Sequence, residues 1–153
     1  MTLDKIQAAG DPQIGNLATP INASSLVQNW LKGLPLYRPG LPPNKRGLEI
    51  GMAHGYFVYG PFALLGPMRD SGNGDVAGLL SAAGLVAILT IALSLYGKVQ
   101  SASDAGITTS PELPTELKTT AGWSAFTNSF MIGGLGGAFV AFAVHQMLGF
   151  LPF

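Results

Sequence analysis

Three long stretches of the chain carry no charged residue, and polar segments separate them. These stretches cover residues 50–68, 76–97 and 119–153. A helix needs about 20 mainly apolar residues to cross the ~30 Å hydrocarbon core of a bilayer. The pattern therefore predicts an all-α integral membrane protein with three transmembrane helices, at about residues 47–65, 76–97 and 124–148.

Residues 1–46 are predicted to form an N-terminal surface arm, and residues 47–153 the membrane domain. Within the arm, cap-type residues precede an amphipathic pattern, which predicts a short helix from about Ser25 to Lys32. The next segment, residues 34–47, contains four prolines and cannot continue that helix. We expect it to form an ordered, extended stretch on the membrane surface.

Lysine and arginine are unevenly divided between the two sides of the predicted membrane domain. With three spans, the arm and the loop at residues 98–122 share one side, whereas the other side carries only Arg69. The positive-inside rule then places the N-terminus in the cytoplasm or stroma and the C-terminus across the membrane. The basic residues of the N-terminal side are Lys5, Lys32, Arg38, Lys45, Arg46, Lys98 and Lys118.

The composition agrees with a membrane protein and removes several function classes. Charged residues make up 10% of the chain, against about 25% in soluble proteins. The formal net charge is zero, so the charge balance suggests no nucleic-acid partner. There are no cysteines, which excludes thiolate-bound iron–sulfur or zinc sites on this chain.

His54 is the most informative polar residue because it lies inside the first predicted span. Gly47 and Gly51 fall on nearly the same helical face, so the surface under the imidazole would be flat. Neutral imidazole is a common metal ligand, and this arrangement suits axial ligation of a chlorophyll magnesium. The alternative is a histidine bonded to a neighbouring helix, with glycines that allow close packing. These residues alone do not separate the two interpretations.

The other polar residues of the spans have simpler interpretations. Glu49 lies about 140° around the helix from His54 and cannot share one metal with it. As a carboxylate in the first turn, Glu49 would be stabilised by the helix dipole and could pair with Lys45 or Arg46. His145, beside Gln146, would complement the last turn of the third span. Two further predictions are Asn128 as a hydrogen-bonding link between helices and Trp123 as an interfacial anchor.

Small residues recur every four positions along the third span. This ladder of Ser129, Gly133, Gly137 and Ala141, with Gly134 and Gly136 beside it, is typical of a close helix contact. The contact could lie within the subunit or between subunits.

No catalytic motif of the common enzyme families occurs in the chain. The main alternative function is a small transporter or channel accessory subunit. Such a protein would bring charges or broken helices together in mid-membrane, and the second span offers none.

Several segments resemble photosystem I subunit XI (subunit L), a non-enzymatic pigment-binding subunit that joins monomers into trimers. The most specific is GLEIGMAHGYF, within residues 34–71, and residues 122–127 and 137–142 also resemble the family. The resemblance implies a cyanobacterial thylakoid or equivalent membrane, with the C-terminus in the lumen. It also implies bound chlorophyll and carotenoid (β-carotene-like), with Glu49 and His54 as magnesium ligands of different chlorophylls.

The resemblance further implies contacts with the photosystem I core, its small membrane subunits and lipid, and a position at the threefold axis of trimers. On the lumenal side, the carboxylates of Asp70 and of the C-terminal Phe153, with the Pro67 carbonyl, would suit calcium because hard cations prefer oxygen ligands. The apolar tail GFLPF contains Pro152, which makes a simple helical continuation unfavourable. We expect this tail to be buried between copies.

Overall fold

The computed structural model describes residues 5–9, 15–100 and 111–149, except for the side chain of Gln100. Within these residues the fold is mostly helical, as predicted. One short 3₁₀ helix, Thr115–Lys118, precedes the last long helix. The α-helices are α1 (Ser25–Gly33), α2 (Pro43–Leu65), α3 (Gly74–Gln100) and α4 (Thr120–Gly149).

The arm contains a small antiparallel β-pair that the all-α prediction did not include. Strands β1 (Gln7–Ala8) and β2 (Leu17–Ala18) pair with Gln7 opposite Ala18. Gly15 has a positive φ of 71° between them, a conformation that glycine adopts without steric cost. The pair satisfies backbone groups that would otherwise have no partner in this short segment.

The predicted amphipathic helix of the arm is confirmed as α1. The Ser24 side chain caps it by accepting a hydrogen bond from the Val27 backbone N–H at 3.3 Å. None of its residues is buried, and Leu26 is 76% exposed. The apolar face of α1 is therefore available to a membrane surface or another subunit.

The proline-rich segment is ordered, but the prediction that it is extended is wrong. It forms turns in which the backbone N–H groups of Tyr37 and Arg38 both donate to the Leu34 carbonyl. Helix α2 begins at Pro43, four residues before the predicted start, because proline is well tolerated in the first turn of a helix. The helix then continues through Pro61 to Leu65.

The three long helices pack against one another, and the contact between α2 and α4 is the most extensive. Buried side chains form a cluster near each end of this bundle. One cluster centres on Leu117, Trp123 and Phe126, and the other includes Tyr59 and Ala138. The two ends are therefore held by separate groups of side chains.

Helices α3 and α4 are the two described helices that are long and apolar enough to cross a membrane. They contain the predicted spans 76–97 and 124–148. Helix α2 has comparable length, but Glu49 and His54 reduce its hydropathy.

Candidate functional site

His54 lies on an exposed face of α2 with one ring nitrogen already occupied. Its Nδ1 is 2.8 Å from the carbonyl oxygen of Ile50, one turn earlier. A carbonyl can only accept, so Nδ1 carries the proton and Nε2 carries a lone pair. Histidines that bind metals usually donate their other ring N–H in this way. The residue therefore fits an axial ligand of a metal-containing ring.

The glycines near His54 do not form the flat surface that we expected beneath the imidazole. Gly47 and Gly51 are buried. A Cβ atom at Gly47 would overlap the Phe126 carbonyl of α4, and one at Gly51 would overlap the Phe130 carbonyl. These glycines serve close helix packing. The histidine, however, bonds to its own helix, and its ring makes an edge contact with Phe130 of α4, at 5.6 Å between ring centroids.

Glu49 is paired, although not with the residues suggested by the sequence. Arg38 of the arm donates from Nη1 to Glu49 Oε2 at 3.1 Å. Arg46 instead donates to the carbonyl oxygens of Pro35 at 2.8 Å and Leu36 at 2.9 Å. The Glu49 side chain is 40% exposed, and a carboxylate has several acceptor positions. It can therefore accept a second group while keeping Arg38.

The predicted calcium ligands lie only partly within the described residues. Asp70 has an 85% exposed side chain, and its Oδ2 is 3.4 Å from Arg69 Nη2. Pro67 belongs to the same turn, whereas Phe153 lies outside the described residues. The calcium site stays a prediction. Among the described residues, no group of three His, Asp or Glu side chains is placed to hold a metal ion.

The small-residue ladder of α4 contacts α2 of the same chain. A Cβ at Gly133 would overlap the Leu48 carbonyl, and one at Gly137 would overlap the Met52 carbonyl. The neighbouring Gly136 has nothing within 4 Å. The sequence left open whether this ladder packs within the subunit or between subunits. In the structure it packs within the subunit, against α2.

Two further predictions for α4 differ from the structure. Asn128 is exposed and forms no hydrogen bond with a described residue, so it does not link helices within this part of the chain. Trp123 is only 6% exposed, and its ring meets Tyr96 at 5.5 Å and Phe126 at 5.3 Å between centroids. It belongs to the core of the bundle rather than to a lipid-facing surface.

A polar network that the sequence analysis missed joins all three long helices near one end. His145 Nδ1 lies 2.9 Å from the Tyr59 hydroxyl and 3.3 Å from Asp75 Oδ1. Gln146 donates from Nε2 to Asp75 Oδ2 at 2.8 Å. Asp75 lies in the first turn of α3, and His145 lies near the end of α4. In a bundle whose successive helices run in opposite directions, the start of α3 and the end of α4 lie at the same end. The order of the helices could therefore have predicted that Asp75 and His145 lie close together.

Charged groups outside the bundle also pair locally. In the segment before α4, Lys118 donates from Nζ to Glu112 Oε1 at 2.7 Å. This hydrogen bond, with the positive charge of Lys118, lowers the pKa of the Glu112 carboxyl. Since both side chains are largely exposed, the pair is a surface feature.

A helical bundle with two helices long and apolar enough to cross a membrane is the fold class of a small membrane subunit. Comparison with known proteins gives the particular family. The model of the family "Photosystem I reaction centre subunit XI" matches residues 5–150. The chain therefore belongs to the photosystem I reaction centre subunit XI family, whose members are structural reaction-centre subunits and not enzymes.

Three relatives, each described as photosystem I reaction center subunit XI, illustrate the similarity. The protein of Crocosphaera subtropica is 52% identical over 148 residues, covering 97% of this chain and 95% of the relative. That of Picosynechococcus is 55% identical over 142 residues, with 93% of each chain covered. That of Synechococcus elongatus is 54% identical over 145 residues, covering 93% and 87%.

Proposed function

We propose that this chain is a non-catalytic subunit of photosystem I that binds antenna chlorophyll through His54. The observation that carries the proposal is the hydrogen bond from Nδ1 to the Ile50 carbonyl, 2.8 Å long, which leaves the Nε2 lone pair on an exposed face of α2. Bound chlorophyll would supply light absorption and excitation transfer. The protein would supply the position and orientation of the ring through its axial ligand.

Glu49 is proposed as the ligand of a second chlorophyll. Its carboxylate is partly exposed, and Arg38 at 3.1 Å would balance its charge. Carotenoid and lipid would cover other apolar surface, of which the bundle has a great deal. Examples of large exposed side chains are Phe57, Leu80, Ile88, Ile91, Ile132 and Phe139.

We place the subunit in the thylakoid membrane beside the photosystem I core, with three spans. Helix α2 is proposed to cross the membrane together with α3 and α4 because it packs along α4 from Gly47 to Ala63. The uneven distribution of basic residues places the N-terminus on the cytoplasmic or stromal side and the C-terminus in the lumen.

We also propose that the subunit joins photosystem I monomers around a threefold axis. The Gly133–Gly137 ladder does not supply this contact, since α2 already occupies it. The outer face of α4 remains free of other described helices at Gly136, and Phe139 is 59% exposed there. Three copies related by an axis would repeat each such contact three times.

Replacing His54 with leucine should remove or displace one chlorophyll and leave the subunit in the complex. Leucine has a side chain of similar size to histidine, but it offers no lone pair to magnesium. Chlorophylls per purified complex would be counted after pigment extraction, with Met52→Leu, at another exposed position of α2, as the matched control. A full pigment complement in the His54 variant, with the subunit present, would refute ligation by His54.

Deleting residues Met147 to Phe153 should yield monomeric complexes with nearly unchanged pigment content. The deleted segment carries the apolar tail, which we expect to be buried between copies. Native gel electrophoresis would report the oligomeric state, and pigment extraction would show that each monomer is intact. Trimers that persist after the deletion would show that the tail is not the joint.

A further inference from the structure

His145 resembles His54 in that its Nδ1 is held by the protein while its Nε2 has no protein partner among the described residues. Its Nδ1 faces protein groups, namely the Tyr59 hydroxyl at 2.9 Å and Asp75 Oδ1 at 3.3 Å. The described part of the chain offers its Nε2 no hydrogen-bond partner. The imidazole side chain is 37% exposed. One nitrogen is thus held by the protein, and the opposite nitrogen remains available.

We infer that His145 is a third axial ligand of this subunit, binding the magnesium of a chlorophyll through Nε2. The inference rests on the proposed pigment-binding function and extends it to the end of α4 that faces Tyr59 and Asp75. Asp75 is a positioning residue, and so is Tyr59. Neither would touch the pigment, and both act through the imidazole.

The negative charge of Asp75, whose Oδ1 is 3.3 Å from Nδ1, favours the tautomer that ligation requires. Gln146 donates to Oδ2 at 2.8 Å, which fixes the carboxylate and turns Oδ1 toward the imidazole. A carboxylate accepts only, and the Tyr59 hydroxyl oxygen at 2.9 Å can accept as well. Both groups are therefore compatible with a proton on Nδ1, which leaves the lone pair on Nε2. A carboxylate behind a ligating histidine also raises its basicity and fixes its ring orientation.

The surroundings suit a flat apolar ring better than water. A helical side chain covers the turn before it, where the apolar Phe142 is half-buried. Beside His145 on α4, the apolar Val144 and Leu148 are 37% and 48% exposed. A chlorophyll bound at Nε2 would cover apolar surface of this kind while its magnesium met a polar ligand.

A purely structural role for His145 is the competing explanation, and His145→Asn distinguishes the two. The asparagine amide can take the place of Nδ1 beside Asp75 and Tyr59, but it has no counterpart of Nε2. We expect photosystem I with this variant to retain the subunit and lose one chlorophyll. The double variant with His54→Leu should lose two. If His54→Leu loses one pigment and His145→Asn loses none, the inference fails while the proposed function stands.

Other outcomes of the same comparison are also decisive. If neither single variant loses a pigment, the proposed function itself fails. Asp75→Asn should retain the pigment but shift its absorption band, because the ligand's basicity changes. An unchanged spectrum would overturn the positioning role.

The unmodified complex supplies a test that does not depend on folding of a variant. A cryo-electron microscopy map should place a magnesium about 2.0–2.3 Å from His145 Nε2, by analogy with other imidazole–metal bonds. A map that shows lipid or a protein side chain at this nitrogen would overturn the inference.

Discussion

Replacing Gly137 with alanine should weaken the α2–α4 pair, whereas the same change at the adjacent Gly136 should not. A Cβ at position 137 would overlap the Met52 carbonyl oxygen and lie 2.9 Å from its carbon. Because these are backbone atoms, the two helices must separate. Overpacking of this kind costs about 1–3 kcal/mol, which exceeds the gain of about 0.5–1 kcal/mol from replacing glycine in a helix.

The measurement is the unfolding temperature of the purified subunit in detergent, followed by circular dichroism. We expect a fall of about 5 °C for Gly137→Ala and an equal or higher temperature for Gly136→Ala, which meets nothing within 4 Å. The two variants differ by one position and share the same change in side chain. Equal unfolding temperatures would contradict the packing described for α2 and α4.

The hydrophobic pattern was sufficient to predict the helices because a long uncharged run has few alternatives in a protein. It could not predict which helical face meets a neighbour. Gly47 and Gly51 were assigned to the face of His54, but the buried ridge repeats every four residues and continues through Gly55 and Tyr59. Because a four-residue repeat drifts around the helix, the ridge lies about 60° from His54 at Gly51 and about 100° from it at Gly55. A glycine pattern alone does not distinguish a surface for a pigment from a surface for another helix.

Polar contacts were predicted less well because local spacing does not identify distant partners. Glu49 was paired with neighbours on its own helix, yet its partner Arg38 lies eleven residues earlier in the arm. His145 was assigned only to its helix end, although its partners Tyr59 and Asp75 come from two other helices. Such pairs depend on how turns and helix ends meet, which the hydrophobic pattern does not specify.

Replacing Arg46 with methionine should release the turns of the arm from the start of α2. Arg46 is 2% exposed, and its Nη1 donates to the carbonyl oxygens of Pro35 at 2.8 Å and Leu36 at 2.9 Å. Hydrogen bonds from a charged group contribute about 1.5–3 kcal/mol each. Methionine also removes the buried Nε, which has no partner among the described residues, and this offsets part of the loss. We expect a net cost of about 2 kcal/mol.

Chymotrypsin cleavage after Tyr37 measures this release, because Tyr37 lies in the turn held by Arg46. A loss of about 2 kcal/mol corresponds to cleavage about 30-fold faster when cleavage follows local opening. Lys45→Met is the matched control, since Lys45 is exposed and the variant keeps the same cleavage site.

In sealed thylakoid vesicles, the same cleavage also tests the orientation of the subunit. Protease on the stromal face should cut the arm, and protease confined to the lumen should not. Equal cleavage of the two variants would show that Arg46 does not hold the arm, and cleavage from the lumen alone would reverse the proposed orientation.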